Sequence, residues 1–352
     1  MGKLDFDIII VCVEILMFVR HNIEVFPLKT FFQNGLQRDL QFFAEESDGF
    51  CIQEIDNNTV DPYIYLGDSI RCEIDSELVS LYDKLRDLFF PDTDKYYSQL
   101  NLMPIFVQTA GQDSDCGLTA DSFCKLMDIH KSMPEIYRYL YLVDCQFLIG
   151  TIQNLLSGME DEFVDYFIKI SSIKDSQHIE ALNTTYFVMS RSVRNISSLL
   201  ESYFIKAYSI LDMFCKLVYE LENPMDDFSC YKKMKSSGLL WGDRKKLNIN
   251  GAKHTVFEKC DLISSIEALR NEVVHNGSWE LNPKVFIVLK EGLVAERFML
   301  FPDIEQGHLA TVKNRKHFFG KGEKVNSILP QIHMKYLNLI LNTAQTLKWK
   351  NV

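Results

Sequence analysis

The sequence predicts a mainly helical protein, in which a bundle of long helices is joined to a separate N-terminal region with some strand content. In the later part of the chain, apolar residues recur every three or four positions, which is the spacing of one helix face. Pro, Gly and Asn residues separate these stretches and are typical helix stops. Apolar residues make up 47% of the 352 residues and aromatic residues 12%, so a large core can form and a disordered protein is excluded.

The N-terminal part has a mixed pattern. Residues 1–47 are predicted to form one or two helices, although a strand over Ile8–Val13 is an alternative because β-branched residues dominate that run. The segment Phe50–Ile74 alternates apolar and polar residues between turn signals, which predicts a hairpin. A helix over 76–90 is expected next, with Pro91 as its stop.

The stretch Pro91–Gly117 is the predicted boundary between the two regions, because it is rich in Asp, Gly, Pro and Gln. Residues 1–115 would then be a regulatory or partner-binding region with helices and some strand. Residues 116–352 would form the helical bundle.

After this boundary the helical periodicity continues to the end of the chain. Thr119 is a predicted N-cap, and Pro134 lies near the first position of the next helix. The pair Ser157-Gly158 is predicted to break a helix, since glycine weakens helix interiors. The predicted helices cover residues 119–130, 134–156, 159–170, 177–223, 261–277, 283–290 and 330–352.

Two basic inserts interrupt the predicted bundle, at residues 225–254 and 293–325. The first is rich in turn residues and contains Trp241. In the second, Leu293–Phe301 and Thr311–Phe319 have strand-like patterns, so a small β-hairpin beside the bundle is expected.

Charge is distributed unevenly along the chain. The net charge is −11, but residues 231–352 carry 20 Lys and Arg against 11 Asp and Glu, which gives this region +9 and the remainder −20. Such basic clusters are suited to a phosphate backbone, although loops that only offset an acidic half are the alternative. The predicted RNA-binding residues are Lys245, Lys246, Lys253, Arg315 and Lys316.

The segment Asp261–Gly277 is the most informative part of the sequence. Its apolar residues share one arc of a helical wheel, and Asn276-Gly277 supplies a C-terminal stop. Arg270 falls inside the apolar arc and therefore needs a partner, for which Asp212 on the preceding helix is the candidate. The residues of the arc are Leu262, Ile263, Ile266, Leu269, Val273 and Val274.

A polar stripe runs along the edge of the same helix, because Glu267, Asn271 and His275 follow one another at four-residue steps. Arg270 offers a permanently charged fork for phosphate oxygens, and a histidine can accept or donate a proton near neutral pH. Asn271 can hydrogen-bond the ring or the phosphate. Since RNA carries its own nucleophile, the 2′-hydroxyl, these three groups suffice for cleavage without a metal ion.

The spacing Arg270-Asn271-x-x-x-His275, at the end of a long apolar helix, resembles the signature of the HEPN superfamily. These are small helical bundles, many of which are metal-independent endoribonucleases. The resemblance covers roughly the chain from Leu118 onward. It implies cyclic-phosphate and 5′-hydroxyl products from single-stranded RNA or tRNA, and a symmetric homodimer with facing motifs. It also implies a toxin or antiviral-defence role, with an antitoxin or defence-system protein as a further partner.

Two alternatives to an active site remain open. In one, a buried carboxylate holds Arg270, and His275 only offsets the negative end of the helix dipole. In the other, the chain is a HEPN-like bundle that binds a protein or RNA partner without chemistry.

Cofactors and metal ions are not expected. The nine cysteines form no Cys-x-x-Cys pair and no Cys/His cluster, and no Gly-rich phosphate loop is present. The most hydrophobic run, Ile8–Val19, is too short to span a bilayer and lacks the basic start of a signal peptide. A cytoplasmic protein without membrane contact is therefore expected.

Overall fold

The computed structural model describes residues 51–54, 63–66, 70–173, 182–238 and 243–349. Over these residues the chain is mainly helical with a small antiparallel sheet towards the C-terminus, which confirms the predicted fold class at this level. The described helices are α1 (Ile70–Phe89), α2 (Thr93–Leu100), α3 (Phe106–Thr109), α4 (Ala120–His130), α5 (Ile136–Ser171), α6 (Arg191–Glu222), α7 (Asp261–Asn276) and α8 (Val325–Trp349). The described strands are β1 (Cys51–Glu54), β2 (Tyr63–Leu66), β3 (Thr184–Val188), β4 (Val285–Lys290), β5 (Leu293–Phe298), β6 (Ile304–Glu305) and β7 (His308–Leu309).

The described chain forms two compact units, each built from segments that are distant in sequence. The division into regions 1–115 and 116–352 that the sequence predicts stays a prediction. The described residues within 1–72, 156–208 and 259–340 belong to the first unit, and those within 73–155, 209–258 and 341–352 belong to the second.

Strand β4 is the centre of a three-stranded antiparallel sheet in the first unit, between β3 and β5. Val285, Ile287 and Leu289 point to its buried side, and Val188 of β3 pairs with Val285. The prediction of a helix over 283–290 is therefore wrong. The run is β-branched and aromatic, and its alternate side chains bury one face of a strand.

The helix predicted over 177–223 starts later than expected. It begins at Arg191, and the Ser190 hydroxyl accepts a hydrogen bond of 3.2 Å from the Val193 N–H, as an N-cap residue does. Thr184–Val188, predicted as helix, is strand β3, because this stretch pairs with a strand about a hundred residues later. The predicted end of this helix at residue 223 is confirmed to within one residue, because α6 ends at Glu222. The predicted start at 177 lies outside the described residues.

The predicted break at Ser157-Gly158 is wrong, since α5 continues through both residues. The Lys206 ammonium, on α6, donates a hydrogen bond of 3.0 Å to the Gly158 carbonyl oxygen. A Cβ atom on Gly158 would lie 3.0 Å from the same nitrogen. Because glycine has no Cβ atom, the side chain of Lys206 can approach the backbone closely here, and the glycine does not end its own helix.

Several other predicted elements are present with shifted ends. Thr119 caps α4 by accepting a hydrogen bond of 3.1 Å from the Ser122 N–H, as predicted. Helix α1 begins at Ile70, several residues before its predicted start. Helix α8 begins at Val325, so that Pro330 lies within the helix instead of at its first turn.

The predicted hairpins have different outcomes. Strands β1 and β2 pair antiparallel, which confirms the hairpin near the N-terminus. Strand β5 confirms the strand predicted from Leu293, but its hairpin partner is β4. The prediction of a strand over Thr311–Phe319 is wrong. The chain turns sharply there, with an isolated bridge between Val312 and Arg315 and a positive φ of 54° at Lys313.

The second unit contains a buried carboxylate that receives hydrogen bonds from two neutral donors. Glu220 accepts one bond of 2.7 Å from the Tyr141 hydroxyl and one of 3.0 Å from the Ser236 N–H. The Tyr231 hydroxyl also donates to Asp144 at 2.7 Å. These bonds fix the chain around residues 231–236, within the first predicted basic insert, against α5 and α6.

Some predictions concern residues that the structure does not describe, namely the helices or strand over 1–47 and the side chain of Trp241. Among the helices that are described, none combines the length and the apolar character that crossing a bilayer requires.

Candidate active site

Helix α7 carries the predicted catalytic residues. It runs from Asp261 to Asn276, and the Gly277 N–H donates a hydrogen bond of 3.0 Å to the Val273 carbonyl oxygen. Gly277 has a φ of +91°, a backbone conformation that glycine adopts without steric strain. The predicted Asn-Gly stop is therefore confirmed.

The buried face of α7 differs from the predicted apolar arc at one end. The predicted arc includes Val274, but this residue is 48% exposed. Glu272 is only 5% exposed, so the buried side of the helix includes this charged residue and does not include Val274. The buried residues of the helix are Ile263, Ser265, Ile266, Leu269 and Glu272.

Arg270 is half-buried and is held by two uncharged groups. Its Nη1 donates a hydrogen bond of 2.9 Å to Oδ1 of Asn271. Its guanidinium carbon lies 4.7 Å from the ring centroid of Tyr208, a buried residue of α6. The Asn271 amide and the Tyr208 ring fix the direction of the guanidinium, and neither carries the negative charge that would neutralise it.

His275 lies in the last turn of α7 with its side chain exposed to solvent. Asn271 and Glu267 lie one and two turns earlier, and both are half-buried. Arg270 and His275 are separated by about 140° around the helix axis and about 7.5 Å along it. The two side chains therefore leave the helix on different sides.

Asp212, the candidate partner of Arg270, belongs to the second unit. Its carboxylate lies 3.7 Å from the ammonium of Lys216, one turn later on α6. The pairing of Asp212 with Arg270 stays a prediction.

Glu272 is the centre of a charged cluster that the sequence analysis did not identify. Its carboxylate accepts a hydrogen bond of 3.0 Å from the Lys316 ammonium, and its Oε1 lies 3.0 Å from Nε2 of His317. Burial alone would raise the pKa of Glu272, but the bonds from Lys316 and His317 outweigh it and lower that pKa. Glu272 is therefore a buried carboxylate that is ionised at neutral pH.

The chain between β6 and residue 321 runs alongside α7. Gly307, in the turn between β6 and β7, has a φ of +79°, and a Cβ atom there would lie 2.5 Å from Cβ of Ser264 and 2.9 Å from the Asp261 carbonyl oxygen. The turn therefore contacts the first turn of α7. Lys316 and His317 contact the same helix nearer its other end, through Glu272.

The predicted RNA-binding residues are divided between the two units. Arg315 is exposed in the first unit, and Lys316 is half-buried because it pairs with Glu272. The other three are all exposed and lie in the second unit. These three are Lys245, Lys246 and Lys253.

Sequence reasoning missed Glu272, His317 and Tyr208. A glutamate beside the motif is ordinary on a helix surface, and a lone histidine such as His317 carries no pattern. No signal in the sequence placed Glu272 on the buried side, because on the helical wheel it lies outside the arc of apolar residues. Within the described part of the chain, no group of three or more His, Cys, Asp or Glu residues is arranged to hold a metal ion.

Helix α7 thus presents an exposed histidine, a directed arginine and a buried carboxylate that binds a second histidine. These are groups that can transfer protons and hold an anion. Comparison of the chain with models of known protein families found no match, and comparisons with curated proteins and with solved structures found none either.

Proposed function

We propose that this protein is a metal-independent endoribonuclease of HEPN type, which cleaves RNA through the attack of the 2′-hydroxyl on the adjacent phosphate. In this proposal His275 transfers a proton, Arg270 binds the phosphate, and Asn271 orients the guanidinium. The toxin or defence role and the protein partner that accompany the resemblance rest on the resemblance alone.

The contacts of Arg270, together with the exposure of His275, carry the proposal. If the motif were only structural, Arg270 would be expected to bind a buried carboxylate. The contacts described for it are instead an amide oxygen and an aromatic ring, and neither of these neutralises its charge. His275 is exposed at the end of the same helix, where a substrate can reach it.

The surroundings of α7 favour a single-stranded substrate. Phe318 is 37% exposed, directly after His317 in the chain. An exposed ring beside proton-transferring groups can stack on an unpaired base, whereas a paired base is covered by its neighbours in the helix. Arg315, also exposed, supplies a further cation for the backbone.

The test is cleavage of a mixed pool of single-stranded RNA and tRNA in the presence of EDTA. We expect the wild type to produce 2′,3′-cyclic phosphate and 5′-hydroxyl ends. The variants His275→Ala and Arg270→Ala should each lose about a hundredfold or more in rate, because each removes a group that acts in the transition state. EDTA should leave the wild-type rate unchanged.

Two exposed residues of the first unit serve as matched controls. Arg194 lies in the first turn of α6 and His308 in β7, and neither belongs to the proposed site. Arg194→Ala and His308→Ala should cut as the wild type does. A wild type without activity would refute the nuclease and leave a bundle that binds a partner, whereas His275→Ala with full activity would refute the assignment of the site to α7.

The homodimer can be tested by complementation. Arg270 and His275 leave α7 on different sides, so a phosphate held by both can lie between two copies of the helix. If so, mixing Arg270→Ala with His275→Ala forms heterodimers in which one of two composite sites is intact. We expect the mixture to regain roughly a quarter of the wild-type rate. Sedimentation of the wild type at the assay concentration shows whether dimers are present.

A further inference from the structure

The bond between Glu272 and His317 gives the neighbourhood of α7 a second histidine with a defined orientation. Nε2 of His317 lies 3.0 Å from Oε1 of Glu272, and the histidine side chain remains 35% exposed. A carboxylate accepts but cannot donate when ionised, so Nε2 carries the hydrogen of this bond. In the neutral ring, Nδ1 is then the nitrogen with the free lone pair.

Both histidines are related to Glu272, one along the helix and the other by a direct bond. Glu272 and His275 are three residues apart on the helix, so their Cβ atoms are about 5–6 Å apart. His317 binds Glu272 directly. His275 thus follows, one helical turn later, the carboxylate that binds His317, and the proposal requires one phosphodiester to reach both rings.

His317 is held in place from its other side by the chain that follows it. The Asp303 N–H donates a hydrogen bond of 2.7 Å to the Phe318 carbonyl oxygen. The buried Asp303 carboxylate accepts bonds of 2.9 Å from the Gly320 N–H and 3.0 Å from the Lys321 N–H. A proton-transferring group is most effective when the surrounding structure fixes its position before the substrate binds.

We propose that His317 is the general base of this site and that His275 is its general acid, with Glu272 as the residue that positions His317. This assignment rests on the proposed ribonuclease function and adds a catalytic residue to it from outside the motif on α7. The substrate is a single-stranded RNA phosphodiester.

The reaction balances without a co-reactant. Nδ1 of neutral His317 takes the proton of the 2′-hydroxyl while the 2′-oxygen forms a bond to phosphorus. The bond between phosphorus and the 5′-oxygen breaks, and protonated His275 gives its proton to that oxygen. The products are a 2′,3′-cyclic phosphate and a 5′-hydroxyl, and the two histidines exchange protonation states through solvent.

Two substrates separate the roles of the two histidines. One is the dinucleotide uridylyl-adenosine, and the other is uridine 3′-(4-nitrophenyl phosphate), whose leaving group departs without a proton. His317→Ala should lose about a hundredfold on both substrates. His275→Ala should lose about a hundredfold on the dinucleotide and only a few-fold on the nitrophenyl ester.

Two further measurements distinguish a catalytic role of His317 from a purely structural one. His317→Gln keeps an N–H for Glu272 but cannot take a proton, so it should fold as the wild type does and remain inactive. Free imidazole should raise the rate of His317→Ala about tenfold or more and leave that of His317→Gln unchanged. His308→Ala is the control histidine and should retain the wild-type rate on both substrates.

The outcomes distinguish this assignment from the proposed function. If the wild type cuts, His275→Ala does not, and His317→Ala cuts normally, then the ribonuclease stands and the assignment of His317 is wrong. If His317→Ala is rescued by the nitrophenyl ester, the base and acid are exchanged and the assignment is also wrong. If the wild type cuts neither substrate nor the RNA pool, both proposals fail together.

Discussion

Two buried glutamates, Glu220 in the second unit and Glu272 in the first, are 1% and 5% exposed and differ in what binds them. Glu220 accepts hydrogen bonds from the Tyr141 hydroxyl and from a backbone N–H. Glu272 accepts them from Lys316 and His317, whose side chains remain 39% and 35% exposed. One carboxylate therefore joins core segments, whereas the other joins the core to groups that solvent can reach.

The same residue type, buried in both places, therefore has neighbours of different kinds. Around Glu220 the pKa values of two titratable neighbours move further above neutral pH. Burial, followed by the bond to Glu220, raises the pKa of Tyr141. Burial also raises the pKa of the Cys145 thiol. Around Glu272 the side chain of a histidine remains accessible to solvent. Of these two clusters, the one around Glu272 is the cluster that we propose for proton transfer.

Removing the carboxylate of Glu220 should have the largest effect on stability. Glu220→Ala leaves the Tyr141 hydroxyl and the Ser236 N–H without their acceptor, and we expect the free energy of unfolding to fall by about 2–4 kcal/mol. Urea denaturation measures this, with the exposed Glu305→Ala as a control that should change stability by less than about 0.5 kcal/mol. A loss as small as the control's would show that the Glu220 bonds are not structural.

Gly307→Ala should have the next largest effect. The substitution places a Cβ atom 2.5 Å from Cβ of Ser264 at a φ of +79°. We expect a loss of about 1–3 kcal/mol in the free energy of unfolding. Gly251, with a φ of +82° and nothing within 4 Å of an added Cβ, is the matched control, and Gly251→Ala should cost about 1 kcal/mol. Equal losses would mean that the turn does not press against α7.

The stability contributed by Glu272 should depend on pH. Because its pKa is lowered in the folded protein, the contribution is fully present above the unfolded value of about 4.3 and is lost as the pH falls through the folded value. We expect Glu272→Gln to cost about 1–2 kcal/mol at pH 7 and the difference from wild type to shrink between about pH 5 and pH 3. A difference that is constant with pH would contradict the ion pairing.

The smallest effect is expected for Lys316→Met. Its ammonium is partly exposed, so the loss in the free energy of unfolding should stay below about 1 kcal/mol. The substitution removes a hydrogen bond that lowers the pKa of Glu272, and that pKa should rise, as measured by NMR titration of the side-chain carboxyl. Lys313→Met, at an exposed position in the same loop, should leave the pKa unchanged.

Predictions from the sequence succeeded where local chemistry decides the structure. The Thr119 cap and the stop at Asn276-Gly277 depend on a few adjacent residues, and both are present. The predictions failed at Gly158 and over residues 283–290, where the deciding partner is distant in sequence. Gly158 remains within a helix that contacts Lys206, and the run at 283–290 becomes a strand because a complementary strand is available.

The sequence by itself determined the helical class, the extent of α7 and the presence of Arg270, Asn271 and His275 on it, since these follow from periodicity and capping within one segment. Only the tertiary structure decided that Arg270 lies over Tyr208 and that Glu272 binds His317. Residues separated by more than forty positions meet when their segments pack on a common core, and no local preference encodes which residues those will be.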